Sequence, residues 1–456
     1  MYLSSQKKIN ILKFAQQKLL CVDNIDPGKP SYSSERGCAV LSQRLALDIK
    51  ATGYVASGFK RNVTIAEKAQ EQIANHMRVC VAIPEDLVAI YGIAASEPIL
   101  SEAASYIMRN YTNFSLFGTL SNVLDAYGIS PGDCGELLVA AFFTRARDLY
   151  VQRLSMNDKN LLFPITGQIC PIFSVVDLLS NLFDERFHSM MLDSLPSVYR
   201  MGDTSSPQKL GDVFRRTRMH FNHLIKPSSK SIINRQYLLN IMARGAGALG
   251  TNCQPGYYMI VPFLYEADDL DIKRVGFIMV QVKKTSKSLK TPGSEIITKM
   301  DPFACKLFTN GDTVPIIRIV FSLDRKRPTL RHMRYNSVSG RDGASEHDKN
   351  GQPLFTSYDL WCSGMGPRLL QPVDENGAGR EWKSLLRKSE ISKDVFMASS
   401  NPDLRRSEHP GGGPDRGHYE NWLAEPHISL DELKPKAEDE PEDEDEEDWE
   451  GWDSPE

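Results

Sequence analysis

Apolar residues follow two different periods along this chain. In the first half they recur at three- and four-residue spacing, the mark of helices with a buried face. From about residue 257 they gather in short blocks of strand length. Residues 1–20 predict one helix. The turn formers of 22–36, VDNIDPGKPSYSSER, follow, and AVLSQRLALDI (39–49) predicts a second helix. Thr64 and Glu67 have capping-box spacing, which predicts a helix to about Arg78 with Ile65, Ala69, Ile73 and Met77 inward. Ser96-Glu97-Pro98 opens another, running to about Met108, because proline is tolerated in a first turn. The span 64–130 is therefore expected to be mainly helical. Pro131-Gly132-Asp133 forms a turn, and CGELLVAAFFTRARDLYVQRL then reads as a long helix with a broad apolar surface. Residues 161–232 are mixed, with a loop at 202–208, and a helix covers 231–243.

Strand character dominates next. YYMIVPFLY (257–265) and VGFIMVQVKK (275–284) flank the acidic turn EADDLD and predict a hairpin. VPIIRIVFS (314–322) predicts a third strand, with a short helix within 292–307. FTSYDLWCSGM (355–365) offers a fourth, and the basic stretch 325–350 reads as loop. Four regions result: a helical opening at 1–63, a mainly helical region at 64–230, an α/β core at 231–395 and a tail at 396–456.

Charge changes this picture at the tail. Residues 431–456 hold 15 acids and two lysines, a net of −13, leaving +9 on the rest of a chain whose total is −4. The glycine-proline stretch HPGGGPDRG and the self-repelling acids that follow cannot pack a core, so the tail is expected to be disordered. A basic body suits an acidic partner such as nucleic acid. No apolar run approaches the roughly 20 residues that span a bilayer, so no membrane partner is expected. The opening residues lack a secretory pattern, and the eight cysteines form no CxxC pair. These features favour the nucleus or the cytoplasm.

Candidate chemistry collects at one strand end. Period-two alternation places Val275, Phe277, Met279, Gln281 and Lys283 on one side of their strand. The strand is apolar until Gln281 and Lys283 close it, either as a site or as a solvated end. Lys283 has the charge to stabilise a phosphoryl oxyanion. Glu136 falls in the first turn of the long helix, where the helix dipole favours a carboxylate with or without a ligand. His220 and His223 lie beside the basic group Arg215, Arg216 and Arg218, with no third ligand evident. No GxxxxGK occurs, which excludes a P-loop ATPase within this sequence.

The stretches NHMRVC (75–80), SEPILSEAA (96–104), GELLVAAFF (135–143), QPGYYMIVP (254–262), VQVKK (280–284) and LWCSGM (360–365) occur in an order that resembles the PD-(D/E)XK restriction-endonuclease-like superfamily. More narrowly, the chain resembles the nuclease-type region of fungal Crinkler-like proteins, which often follows a P-loop ATPase. The resemblance implies a mixed sheet flanked by helices, with 1–63 as a helical remnant of an upstream domain. It also implies a helix glutamate, a strand aspartate and an acid-x-lysine strand around Mg²⁺. Glu136 falls on the glutamate, Gln281 on the second acidic position and Lys283 on the lysine. The metal ligands would then be Glu136 and Gln281. Tyr258 stands where the strand aspartate belongs, and a neutral phenol supplies no charge to a hard divalent ion. Asp268, Asp269 and Asp271 lie in the next turn and offer substitute carboxylates, though a surface turn is their simpler explanation. The resemblance thus implies a degenerate nuclease with weak nucleic-acid binding and little or no phosphodiester hydrolysis. A non-catalytic interaction or structural protein on the same fold is the alternative.

Removing 405–456 is expected to leave folding intact. The thermal midpoint of the shortened chain should match that of the full chain. A drop of more than about 5 °C, roughly 1 kcal/mol for a modest domain, would show that the tail packs.

Overall fold

The computed structural model describes residues 5–23, 33–47, 49–52, 60–82, 89–111, 114–127, 134–157, 171–200, 206–227, 229–250, 256–267, 269–283, 294–309, 311–323, 328–333 and 354–373, with Trp382 and Leu385. All of these fall within one compact unit, Met1–Lys393. The second unit, Asp394–Glu456, and with it the expected disordered tail, lies outside the described residues.

The helices are α1 (Ser5–Leu20), α2 (Ser34–Leu45), α3 (Lys60–Asn75), α4 (Pro98–Asn110), α5 (Leu116–Tyr127), α6 (Cys134–Asn157), α7 (Val175–Leu182), α8 (His188–Leu192), α9 (Leu210–Phe214), α10 (Arg235–Ala243) and α11 (Ser294–Lys299). The strands are β1 (Ile49–Thr52), β2 (Arg78–Ala82), β3 (Ala89–Ala94), β4 (His223–Ile225), β5 (Ala246–Leu249), β6 (Met259–Leu264), β7 (Val275–Lys283), β8 (Ile316–Ser322), β9 (Thr329–His332) and β10 (Ser357–Ser363). No helix among the described residues is long and apolar enough to cross a membrane.

The result is a mixed α/β fold. Seven strands in the order β4-β5-β6-β7-β8-β10-β9 form one sheet, and helices cover both of its faces. Strands β5, β6 and β7 form an antiparallel meander, and β8 and β10 then run parallel to β7. The expected hairpin over 257–284 is present, with Met259 opposite Val280 and Leu264 opposite Val275. One face of the sheet meets α6 and α9, where Phe143 packs on Phe321 and Phe214 on Phe263 and Tyr358. The other face meets α10 and α11. Phe277 stacks on Phe308 there, with the Arg235 guanidinium over the Phe308 ring.

The opening region departs from its helical expectation. Helix α2 begins at Ser34, where Ser33 Oγ accepts from Arg36 N, and it ends at Leu45 with Ala46 left-handed. Ile49 therefore starts a strand rather than ending a helix. Helix α3 begins at Lys60, so Thr64 lies inside the helix and does not cap it. Met77 has φ 55° and is exposed, because the chain has already left the helix. Strands β1, β3 and β2 form a separate antiparallel sheet. Arg78 fastens it to α2, donating to Ser42 Oγ at 2.8 Å, to Gly92 O at 2.7 Å and to Leu47 O. Strands β4, β5 and β9 likewise form where the sequence pattern predicts no strand.

Helix α6 holds the helical layer together. It is buried nearly all round from Leu137 to Leu149, as a helix with apolar residues on every side must be. Its inner end carries a fully buried ionic network. Arg44 of α2 donates to both Asp148 oxygens, at 3.1 and 3.0 Å, and to Thr144 O at 3.2 Å. Arg147 donates to Glu102 of α4 at 2.7 Å, to Ser105 Oγ at 2.9 Å and to Asp148 at 3.2 Å. Arg109 reaches Glu102 at 3.5 Å. Three guanidiniums thus surround two carboxylates, and they hold Asp148 down to about pKa 2 against the upward push of burial.

Removing one partner of such a pair leaves a buried charge without compensation. Asp148→Ala and Arg44→Ala are each expected to destabilise the protein by about 3–5 kcal/mol. Urea denaturation of the double variant should give clearly less than the sum of the two. Simple additivity would show that the pair is not coupled.

Candidate functional site

Three parallel strands end together. Register pairs Lys283 with Ser322 and Ser322 with Ser363, while β9 adds Thr329 opposite Ser363. One lysine and three hydroxyls therefore cross the sheet on one face. The preceding row on that face is Gln281, Val320, Trp361 and Arg331. The carboxyl ends of parallel strands are where open α/β sheets receive ligands.

The structure places the four sequence-selected residues near this end of the sheet, but not on one face. Gln281 and Lys283 share the Phe277 face that meets α10 and α11, whereas α6, which carries Glu136, covers the opposite Phe321 face. Tyr258 sits one residue before β6 and donates its backbone N–H to Val280 O at 2.8 Å, beside the last residue of β7 that the hairpin pairs. Gln281 and Lys283 are half-buried. Glu136 arrives from the start of α6. A Cβ on Gly135 would come within 2.6 Å of Leu323 Cδ1, and Leu323 N donates to Lys283 O at 3.1 Å. The first turn of α6 thus sits against the ends of β7 and β8. Burial pushes the Lys283 ammonium below its ordinary range, Lys299 pushes it further, and the Glu136 carboxylate offsets part of this. Lys299 is placed by the closing residues of α11, which Arg318 fastens to the sheet. Arg318 donates to Asp359 at 2.7 and 2.6 Å and to Ile297 O at 3.2 Å.

Two buried groups on the same face lack partners. Trp361 Nε1 and Ser363 Oγ make no hydrogen bond, although both side chains are sealed from water. The Lys283 and Lys299 ammonium groups suit an anionic oxygen, whereas the two unpartnered donors lie sealed from water. Mg²⁺ fits poorly, because Glu136 is the one carboxylate among the four residues and Gln281 and Tyr258 bring no charge. Asp271 caps the turn at the far end of the hairpin, its carboxylate accepting from Lys273 N at 2.9 Å. Six residue pairs separate that turn from Gln281, about 20 Å at the rise of a strand. Asp269 shares the turn, and Asp268 lies outside the described residues. Among the described residues no three His, Cys, Asp or Glu side chains gather as a metal site.

A second polar cluster escaped the sequence reading. His223 opens β4, buried, with Nδ1 2.6 Å from Asn222 Oδ1 and Nε2 2.9 Å from Ser96 Oγ. Asn222 Nδ2 donates to Glu102 at 3.4 Å and to Pro98 O at 3.3 Å, which joins this cluster to the ionic network. Arg244 Nε donates to Ser96 Oγ at 3.3 Å. Of the two histidines, 220 and 223, the second is therefore satisfied inside the protein rather than solvated. Compared with known proteins, the chain matches no family model, no curated protein and no solved structure.

Burial, then Arg44 and Arg244, hold His223 down to about pKa 3, against 6.5 for the free side chain. The unfolded chain therefore takes up a proton at this position below pH 6.5 while the folded chain does not. The stabilisation is complete above pH 6.5 and is lost as pH falls toward 3. At pH 5 the loss is about 2 kcal/mol. His220, also held down by burial, acts in the same sense. Urea denaturation at pH 7 and pH 5 is expected to show a smaller pH-dependent loss in His223→Gln than in wild type. Equal losses would mean that His223 titrates freely.

Proposed function

We propose that the chain is a degenerate relative of metal-dependent nucleases of the restriction-endonuclease-like kind. It binds DNA or RNA weakly and hydrolyses phosphodiesters slowly or not at all. The observation that carries this reading is Lys283. It is a half-buried lysine at the end of a central strand, in a row of hydroxyls, with Lys299 and Glu136 close enough to shift its protonation. A mixed sheet flanked by helices is the architecture that the sequence resemblance implies. The shortage of carboxylates argues for binding over cutting, since metal-activated water is the nucleophile of this chemistry. The +9 charge of the body outside 431–456 supports an electrostatic, salt-sensitive interaction. Nucleic acid as partner places the protein in the nucleus or cytoplasm.

A second reading, a non-catalytic interaction protein, has one observation in its favour. The small sheet turns Val79, Val81 and Ile93 outward, at 47%, 52% and 39% exposure. Beside it lies a cleft of about 810 Å³ lined by Phe14, Lys18, Val22, Ile73 and Met77.

The two readings separate in a paired assay. Fluorescence anisotropy with single- and double-stranded oligonucleotides should show binding that weakens as salt rises. Lys283→Ala should lower the slope of log K against log[salt] by about 1. Plasmid cleavage with Mg²⁺ or Mn²⁺ should be slow or absent in wild type and appear or rise in Tyr258→Asp. Robust wild-type cutting that vanishes in Glu136→Ala and Lys283→Ala would make this an intact nuclease. No salt-sensitive binding and no cutting by any variant would favour the interaction protein.

A further inference from the structure

We propose that Ser96, His223 and Asn222 form a reactive centre, a serine nucleophile with its base and orienting amide, that takes small carboxylic esters. It stands apart from the Lys283 site and does not depend on the nuclease-like reading. Ser96 is the residue before the Glu97 N-cap of α4, and Asn222 and His223 enter β4 more than a hundred residues later. The fold brings them into a continuous chain of hydrogen bonds.

The network fixes the tautomer of the imidazole. A Glu102 carboxylate held by Arg147 and Arg109 accepts only, so the Asn222 amide turns its NH₂ toward it. Asn222 Oδ1 is thereby left facing His223 Nδ1 at 2.6 Å, and a carbonyl oxygen also accepts only. The imidazole proton sits on Nδ1, and the Nε2 lone pair faces Ser96. At 2.9 Å the serine hydroxyl donates into it. A nucleophile, a base within hydrogen-bond reach and a third group orienting the base are the parts of nucleophilic catalysis. Arg244 Nε, donating to the same Oγ at 3.3 Å, favours the negative charge that develops as the proton leaves.

Access fits this role. Asn222 and His223 are buried, whereas Ser96 is half-exposed and is surrounded by exposed Glu97, Ile99 and Arg244. Glu97 makes no side-chain cap on α4 and Pro98 has no N–H, so the first-turn N–H groups next along the chain from the serine are those of Ile99 and Leu100. They supply donors of the kind that stabilise an oxyanion.

The reaction balances with water as the second substrate. Ser96 Oγ attacks the ester carbonyl carbon, and its proton passes to His223 Nε2. The tetrahedral adduct collapses, the carbon–oxygen bond to the alcohol breaks, and the alcohol leaves with the proton from His223. Water then attacks the acyl-serine, giving its proton to the same nitrogen, and the carboxylic acid leaves as the serine hydroxyl is restored. Asn222 is neutral and offers no charge to the imidazolium, while Arg44 and Arg244 oppose it. Acylation and deacylation are therefore both slow; with an activated ester, whose leaving group needs no proton, acylation runs ahead and the acyl-serine accumulates.

The test uses the full chain with a fluorophosphonate probe and with p-nitrophenyl acetate. Wild type is expected to take up one probe per chain, on the peptide containing Ser96, and to release a burst of p-nitrophenol followed by slow turnover. Ser96→Ala should remove the label, and His223→Gln should slow labelling about 100-fold or more. Ser231→Ala, a change at an exposed surface serine, should label like wild type. Circular dichroism and a thermal melt establish that each variant is folded. If His223→Gln does not fold, Asn222→Asp replaces it, and a change in labelling rate of several-fold is expected. No labelling of wild type, or labelling that persists in folded Ser96→Ala, overturns the proposal.

Discussion

Asp148 is the point on which the helical layer depends. A carboxylate with no access to water is tolerable only if its charge is matched locally, and here Arg44, Arg147 and Arg109 all contribute. The match is geometric as well as electrostatic. Arg44 binds both carboxylate oxygens of Asp148, while Arg147 bridges Asp148 and Glu102. These contacts set α2 and α4 against α6 at one place and one angle, which apolar packing alone would leave looser. Replacing the whole set by apolar residues would remove an energetic burden and with it that registry. Arg109 is held below its ordinary range by burial, which the Glu102 and Asp148 carboxylates oppose and the like-charged Arg147 and Arg44 reinforce.

Both candidate sites take their placement from this cluster. Glu136 and Arg147 lie eleven residues apart on α6, about 16 Å along a helix. The rigid helix carries the registry fixed at Arg147 to the ends of β7 and β8, where Glu136 meets the field of Lys283. In the other direction Glu102 passes it to Asn222 and so to His223 and Ser96. One buried network thus holds a carboxylate at one end of its helix and orients an imidazole near the other.

The large sheet was legible where its strands carry a period-two or wholly apolar run. Strands β6, β7, β8 and β10 satisfy that, and Lys283 stood out because it closes such a run with a charge. Strand β5 reads AGAL, without a β-branched or aromatic residue, and β4 has three residues, too short to show a period. Both exist because the sheet offers them an edge to pair with. Strands β2 and β3 carry a period-two signal in RVCVA and AIYGIA, but it lies among helical segments. A capping-box pattern at Thr64 coincided with the interior of a helix that starts at Lys60, since cap spacing says nothing of where hydrogen bonding begins. Ser96 and His223 carry no joint signal in the sequence, because their separation reflects a tertiary path and not a motif.

The ends of β7, β8 and β10 also show why binding and cutting are separable requirements. Attraction for an anionic oxygen needs donors and positive charge; Lys283 carries the charge at the strand ends, while Ser322, Ser363 and Trp361 lie beside it on adjacent strands but are sealed from water. Activation of water by a divalent ion needs several charged oxygens converging on one point, and among the four residues Glu136 alone brings one. Burial of the lysine sharpens the contrast. A half-buried ammonium beside a second lysine is destabilised until a negative ligand arrives, so an anion gains more from this position than from an exposed lysine. On the nuclease-like reading proposed above, a single added carboxylate at Tyr258 would act in both directions, supplying charge for a metal and neutralising some of the field that would draw a phosphate.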